Sequence, residues 1–150
     1  MGNLSTILTE VFGLKNGTLG TSLIYPALAG SVVPTAGVGA YVLGAYSQIV
    51  AASVIGSAML TGVVLAVETV DSDGFQFQVA QGGAGAETAV WWAAFRQKRT
   101  SDVGYDPGLY FPVVPARQLT TNARLSVAVA SGGGSNASLG FWLIVTPRPF

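Results

Sequence analysis

The stretch Ile49–Val67 reads IVAASVIGSAMLTGVVLAV and contains no charged residue. Its length and hydropathy match those of a helix that crosses a membrane, for which about 20 apolar residues are needed. The same composition suits strands that are buried inside a folded domain. The choice between these two interpretations decides the fold class.

Local signals in and around this stretch favour strands. Glycine and hydroxyl residues interrupt the apolar run, and the β-branched residues Val and Ile are frequent in the rest of it. No charged residue lies between Lys15 and Glu68, so the basic anchors that position a membrane-spanning helix are missing. We therefore predict two consecutive strands, at about residues 46–52 and 58–68. The membrane-spanning helix stays open as an alternative.

The composition limits the function. The chain has 150 residues, which suits one domain, and only 9% of them are charged, against about a quarter in an ordinary protein. Seven basic residues balance seven acidic ones, so neither nucleic acid nor an anionic membrane is an expected partner. A surface so poor in charge suggests contact with copies of itself or with another protein.

The chain contains no Cys and no His. Disulfides and thiolate metal sites are therefore excluded, and the commonest general base and metal ligand are missing. We expect a protein that is not an enzyme and that carries no catalytic residue, cofactor or metal.

From Leu23 onward the sequence consists of short apolar runs separated by turn residues. Pro26 and Pro34 confine the opening strand to an edge or a loop. Phe75–Val79 alternates between apolar and polar residues, as a half-buried strand does, and Asp73-Gly74 predicts a hairpin turn before it. About eight such strands predict an all-β antiparallel sandwich, most consistent with a jelly roll, over residues 23–150. The other predicted strands are Thr88–Lys98, Leu109–Val114, Ala123–Ala130 and Leu139–Val145.

The first 22 residues differ from the rest. An apolar stripe at helical spacing predicts a short amphipathic helix, which Asn3 caps and Gly13 ends. Residues 15–22 read as a flexible linker. The helix either packs on its own domain or forms an arm that grips a neighbouring subunit. The stripe consists of Leu4, Ile7, Leu8, Val11 and Phe12.

Two further groups are candidate interface residues. Trp91 and Trp92 are adjacent on a predicted strand, so they face opposite sides, and only one can join the core while the other meets a neighbouring subunit or sheet. Arg96 and Lys98 share one face of the end of that strand. They form either a solvated strand end or an ionic contact between subunits.

Several segments resemble a group of small β-rich virion proteins of tailed bacteriophages that decorate or cement the head. The resemblance extends from about Tyr25 to Val145. It rests on segments rich in Gly, Ala and Pro, namely Tyr25-Pro-Ala-Leu-Ala-Gly30, Ala36-Gly-Val-Gly-Ala-Tyr41, Leu43-Gly-Ala45, Ile49-Val-Ala-Ala-Ser-Val-Ile55, Val114-Pro-Ala-Arg117 and Ala123-Arg-Leu-Ser-Val-Ala-Val-Ala-Ser-Gly132.

This resemblance implies a jelly-roll-like fold, homotrimers, and attachment to the major capsid protein on the outside of an icosahedral head, after synthesis in the host cytoplasm. Three other functions stay open. They are a minor tail or fibre protein that binds a host receptor, a carbohydrate-binding or hydrolytic domain that uses Trp91 or Trp92, and a membrane protein.

Overall fold

The fold is taken from a computed structural model, which describes residues 22–26, 30–67, 74–96, 108–133 and 139–147. Eight strands form two four-stranded antiparallel sheets, and no helix occurs in these ranges. The predicted all-β class is confirmed. The strands are β1 (Leu23–Tyr25), β2 (Ser47–Val50), β3 (Ala58–Val67), β4 (Phe75–Gln81), β5 (Thr88–Phe95), β6 (Leu109–Leu119), β7 (Leu125–Ser131) and β8 (Leu139–Pro147).

The strands pair in a nested order. Sheet 1 has the order β1-β8-β3-β6, and sheet 2 has the order β2-β7-β4-β5. Within these sheets β4 pairs with β5, β3 with β6, β2 with β7 and β1 with β8, all antiparallel. The first four strands therefore pair with the last four in reverse order, starting from the β4–β5 hairpin. The pairs β4–β5 and β2–β7 lie in sheet 2, and the pairs β3–β6 and β1–β8 lie in sheet 1.

The apolar stretch Ile49–Val67 contains the end of β2, a connection, and the whole of β3. The two strands predicted there are confirmed, and they lie in different sheets. Leu60, Val63 and Leu65 are fully buried between the sheets, which explains why this stretch is so apolar. The alternative of a membrane-spanning helix is wrong for these residues. Within the described ranges, no helix is long and apolar enough to cross a membrane.

An aromatic cluster in the core joins the two sheets. Phe77 on β4 is fully buried, and its ring centroid lies 5.3 Å from that of Phe141 and 5.4 Å from that of Phe111, both in sheet 1. Its neighbours within sheet 2 are Trp91 at 5.7 Å and Phe95 at 6.3 Å. Such tilted and edge-to-face ring pairs stabilise a core beyond the burial of their apolar area.

A second apolar cluster lies on the outer face of sheet 1. Val64, Trp142 and Ile144 are buried there, and Ile24 and Ala66 pack against them. The first seven residues of β8 are consequently buried on both faces of the strand. Among the residues that the structure describes, the indole N–H of Trp142 has no hydrogen-bond partner.

The structure corrects some of the predicted boundaries. The turn before β4 is not a hairpin turn, because β3 and β4 lie in different sheets and do not pair. The β6 strand continues through Pro115 to Leu119, because an edge strand tolerates proline. The prediction of an edge position for the first strand is confirmed, since β1 ends sheet 1. The predicted helix and the linker as far as residue 21 lie outside the described residues.

Candidate interaction surfaces

Two groups of exposed apolar side chains contain the most exposed members. One group belongs to the segment that leads into β2, where Val38 is 87% exposed and Tyr41 is largely exposed. The other belongs to the adjoining edges of the two sheets, where Trp92 on β5 is 60% exposed and Val114 on β6 is 80% exposed. Exposed apolar groups of this size often mark contact surfaces for other molecules.

The two adjacent tryptophans face opposite sides of β5, as predicted. Trp91 points into the sandwich, where its ring packs against Phe77 and Phe111. Trp92 points outward from sheet 2 and lies directly beside Gln78 of β4 in the strand register. The expectation that the outward tryptophan meets a neighbouring subunit stays a prediction.

The other candidate interface residues are only partly described. Arg96 follows the last residue of β5 and is exposed. Lys98 and the five residues of the predicted helical stripe, Leu4, Ile7, Leu8, Val11 and Phe12, lie outside the described residues. The structure therefore brings Trp92 and Arg96 to the same edge of sheet 2 and leaves the arm as a prediction.

A polar network at one end of sheet 2 could not be found from the sequence. Arg124, just before β7, donates from Nη1 to Glu87 Oε1 at 2.8 Å and from Nε to Gln48 Oε1 at 2.9 Å. The Glu87 and Arg124 side chains are only 9% and 14% exposed. These residues are far apart in the chain and meet because the β4–β5 and β6–β7 turns converge, where Gly82 N donates to Arg124 O. No local pattern predicts such a pair.

The network shifts the pKa values of two side chains at this end of the sheet, Glu87 and Tyr46. The hydrogen bond from Arg124 holds the pKa of the Glu87 carboxyl below its usual value. Burial, followed by the negative charge of Glu87, raises the pKa of Tyr46. A separate hydrogen bond, which the Tyr46 hydroxyl donates to Gln78 Oε1 at 2.8 Å, lies toward the middle of the outer face. Arg124 therefore serves an internal ion pair, which leaves it poorly suited to bind an anionic ligand.

The outer face of sheet 2 combines an aromatic ring with amide groups. Gln76 and Gln78 alternate with the core residues of β4, and Trp92 lies across from Gln78 on β5. The outward positions of β7 are small and fully buried, and they are Ser126, Ala128 and Ala130. Chemically, this face can stack an apolar ring and exchange hydrogen bonds through neutral amides.

Glu87 is the only acidic residue in the described ranges, and no group of three or more His, Cys, Asp or Glu side chains that could hold a metal ion occurs in them. A depression between the β4–β5 and β6–β7 turns is lined by backbone and small residues around Arg124, whose charge Glu87 already balances.

Comparisons with known proteins add little to this description. No family model matches the chain, and no curated protein matches it. A solved structure of infectious bursal disease virus, Gx strain, is similar at 19% sequence identity over 85% of this chain and 29% of that chain, with a TM-score of 0.32. The chain thus spans under a third of that viral chain. A likeness at this TM-score establishes neither fold family nor function.

Proposed function

We propose that this chain is a non-enzymatic structural protein of a virion, a jelly-roll protein that decorates or cements the head of a tailed bacteriophage. The observation that carries the proposal is the nested pairing of β1 with β8, β2 with β7, β3 with β6 and β4 with β5. This pairing supports a double-sheet jelly roll with eight strands, an architecture that viral capsid domains use.

The surface chemistry supports an assembly role beyond the fold, which alone does not define a function. Few residues are charged, and large apolar side chains such as Trp92 and Val114 are exposed. Apolar area buried in a contact contributes about 25 cal/mol per Å² before the costs of association. Many identical copies on one particle multiply a modest contact through multivalency.

In this proposal the protein forms a homotrimer and binds the major capsid protein on the outside of the head. Neither nucleic acid nor a membrane is a partner. The segment of residues 1–22 acts as an arm that reaches a neighbouring subunit through Leu4, Ile7, Leu8, Val11 and Phe12. Ionic contacts of Arg96 and Lys98 contribute to the interfaces between subunits.

The test is the number of copies per virion, measured by quantitative mass spectrometry of purified particles. A head protein is present in hundreds of copies, and cryo-electron microscopy would show it as protrusions on the head. A handful of copies located at the tail would refute the decoration role. Deleting residues 1–20 should reduce occupancy of the head, with the full-length chain as the control, and unchanged occupancy would refute the role of the arm.

A second candidate function is binding of a host glycan by a tail or fibre protein. The observation that favours it is the exposed Trp92 beside Gln78, because sugars commonly stack on aromatic rings and hydrogen-bond to amides. A glycan array probed with the purified protein tests this function. Signals that disappear with W92A and persist with V38A, a change at another exposed apolar residue, would support it.

A further inference from the structure

The β5 strand lies at the end of sheet 2 in the described part of the chain. It pairs with β4 on one side, and no described strand pairs with it on the other. An edge strand presents unpaired N–H and C=O groups, which can pair with a strand of another chain. Folded proteins usually protect such edges with charged residues, prolines, bulges or short strands.

The other three edges of the sandwich carry such protection. The β1 strand has three residues and β2 has four. The chain before β2 also hydrogen-bonds to the neighbouring strand, since Gly44 N donates to Val129 O at 2.9 Å. The β6 strand is long, but it contains Pro112 and Pro115, which lack the N–H that edge pairing requires.

The β5 edge has little of this protection. Its eight residues, TAVWWAAF, include no charge and no proline. The strand has a bulge near its start, because Val79 pairs with Trp91 and Ala80 with Ala89, which leaves Val90 unpaired. The remaining segment, Trp91–Phe95, keeps a regular register and presents apolar side chains on both faces.

We propose that Trp91–Phe95 pairs edge to edge and antiparallel with the same segment of a second copy of this chain. The two copies of sheet 2 then form one continuous eight-stranded sheet about a two-fold axis near Ala93. Backbone hydrogen bonds supply the affinity of such a joint, and the side chains on its faces supply the register. A two-fold contact is self-complementary, so both copies use the same surface.

Charge favours a second copy in the antiparallel direction. Arg96 directly follows the strand, whereas Glu87 at the other end is already engaged in its ion pair with Arg124. Antiparallel pairing keeps the Arg96 residues of the two copies at opposite ends of the joint, whereas parallel pairing would place these like charges side by side. The strand itself has no charge that would meet its own copy across the joint.

Side-chain size favours the same arrangement. With Ala93 at the axis, Trp92 of one copy lies opposite Ala94 of the other on the outer face. A large ring then packs against a small residue twice in each joint. This contact would cover much of the Trp92 side chain, which is 60% exposed in the single chain. Trp91 and Phe95 stay in the two cores.

The joint goes beyond the proposed function because it needs no capsid. It is separate from the contacts within a trimer, and its two-fold symmetry would connect neighbouring trimers. The tests below use purified full-length protein without particles, so their outcome is independent of whether the chain binds a phage head.

Disulfide trapping tests the joint directly, since the natural chain contains no cysteine. W92C and A94C are oxidised alone and as an equal mixture, with V114C on the exposed β6 edge as the matched control. We expect the 92–94 mixture to form the most disulfide-linked dimer on a non-reducing gel. More disulfide-linked dimer in W92C, A94C or their mixture than in V114C supports the joint. If none of these three samples forms more dimer than V114C, the proposal is overturned.

Charge substitution gives an independent readout. A94K and A94E each place like charges on diagonal positions of the joint and beside a Trp92 ring of the other copy. Each should therefore weaken association at least tenfold and lower the mass of the wild-type species in light scattering to that of the assembly without this joint. An equal mixture should restore the mass, and A94S should behave as wild type. Unchanged mass for both A94K and A94E would contradict the proposal.

Discussion

Replacing Phe77 tests whether the aromatic cluster joins the two sheets. Its side chain is fully buried, and its ring contacts four other rings, two in each sheet. Truncating a buried Phe to Ala costs about 3–5 kcal/mol, which includes the cavity that remains. Each lost ring pair adds about 0.5–1.5 kcal/mol in favourable geometry, without strict additivity. We expect F77A to lower the free energy of unfolding by about 4–5 kcal/mol, near the upper end of this range.

A smaller change at the same position separates ring contacts from volume. F77L keeps an apolar side chain of similar size and loses only the ring pairs, so it should cost about 1–2 kcal/mol. V38A is the control, because Val38 is largely exposed and its truncation should stay within about 0.5 kcal/mol.

Urea unfolding followed by tryptophan fluorescence measures these changes. A domain of this size has a total stability of about 5–15 kcal/mol, so F77A would remove a large share of it. With a slope of about 2 kcal/mol per M, the midpoint should fall by roughly 2 M while the slope stays unchanged. A loss below about 2 kcal/mol for F77A would refute the conclusion that the cluster helps to hold the two sheets together.

Two other predictions concern single positions. G44A should destabilise the fold by about 1–3 kcal/mol because the added Cβ would overlap the backbone of Thr35. G56A should be tolerated because there is open space around Gly56. Thermal unfolding of both variants checks this prediction, and equal melting temperatures would contradict it. The ion pair of Glu87 with Arg124 should stabilise the fold above the ordinary Glu pKa of 4.5, and this contribution should disappear as the pH falls through the lowered pKa. E87Q should therefore lose less stability than wild type between about pH 5 and pH 2 in urea unfolding, and parallel pH profiles would show that the pair does not act.

The sequence predicts the strands well because each strand carries its own local signal. The alternation in Phe75–Val79 follows from one face packing on the core while the other faces outward. The opposite orientation of Trp91 and Trp92 follows from the same geometry. Hydropathy alone suggested a helix for the stretch Ile49–Val67, whereas its β-branched residues indicated strands. Side chains of this shape pack well on the pleated surface of a sheet.

The sheet partners could not be predicted in the same way. Asp73-Gly74 is a strong local signal for a hairpin, yet the strands on either side of it belong to different sheets. Pairing partners are decided by contacts between distant residues, such as Leu23 with Val145, and these leave no trace in the local sequence. The ion pair between Glu87 and Arg124 was missed for the same physical reason.

The position of β8 has a consequence for biosynthesis. This strand is the last of the eight described strands, yet it lies between β1 and β3 in the interior of sheet 1. Sheet 1 therefore cannot assemble on the ribosome until residues 139–147 have emerged from the exit tunnel. A nonsense mutation at residue 139 should leave a chain in which β1 and β3 lack their shared partner strand. Such a species is prone to aggregation and proteolysis even though most of the domain has been translated.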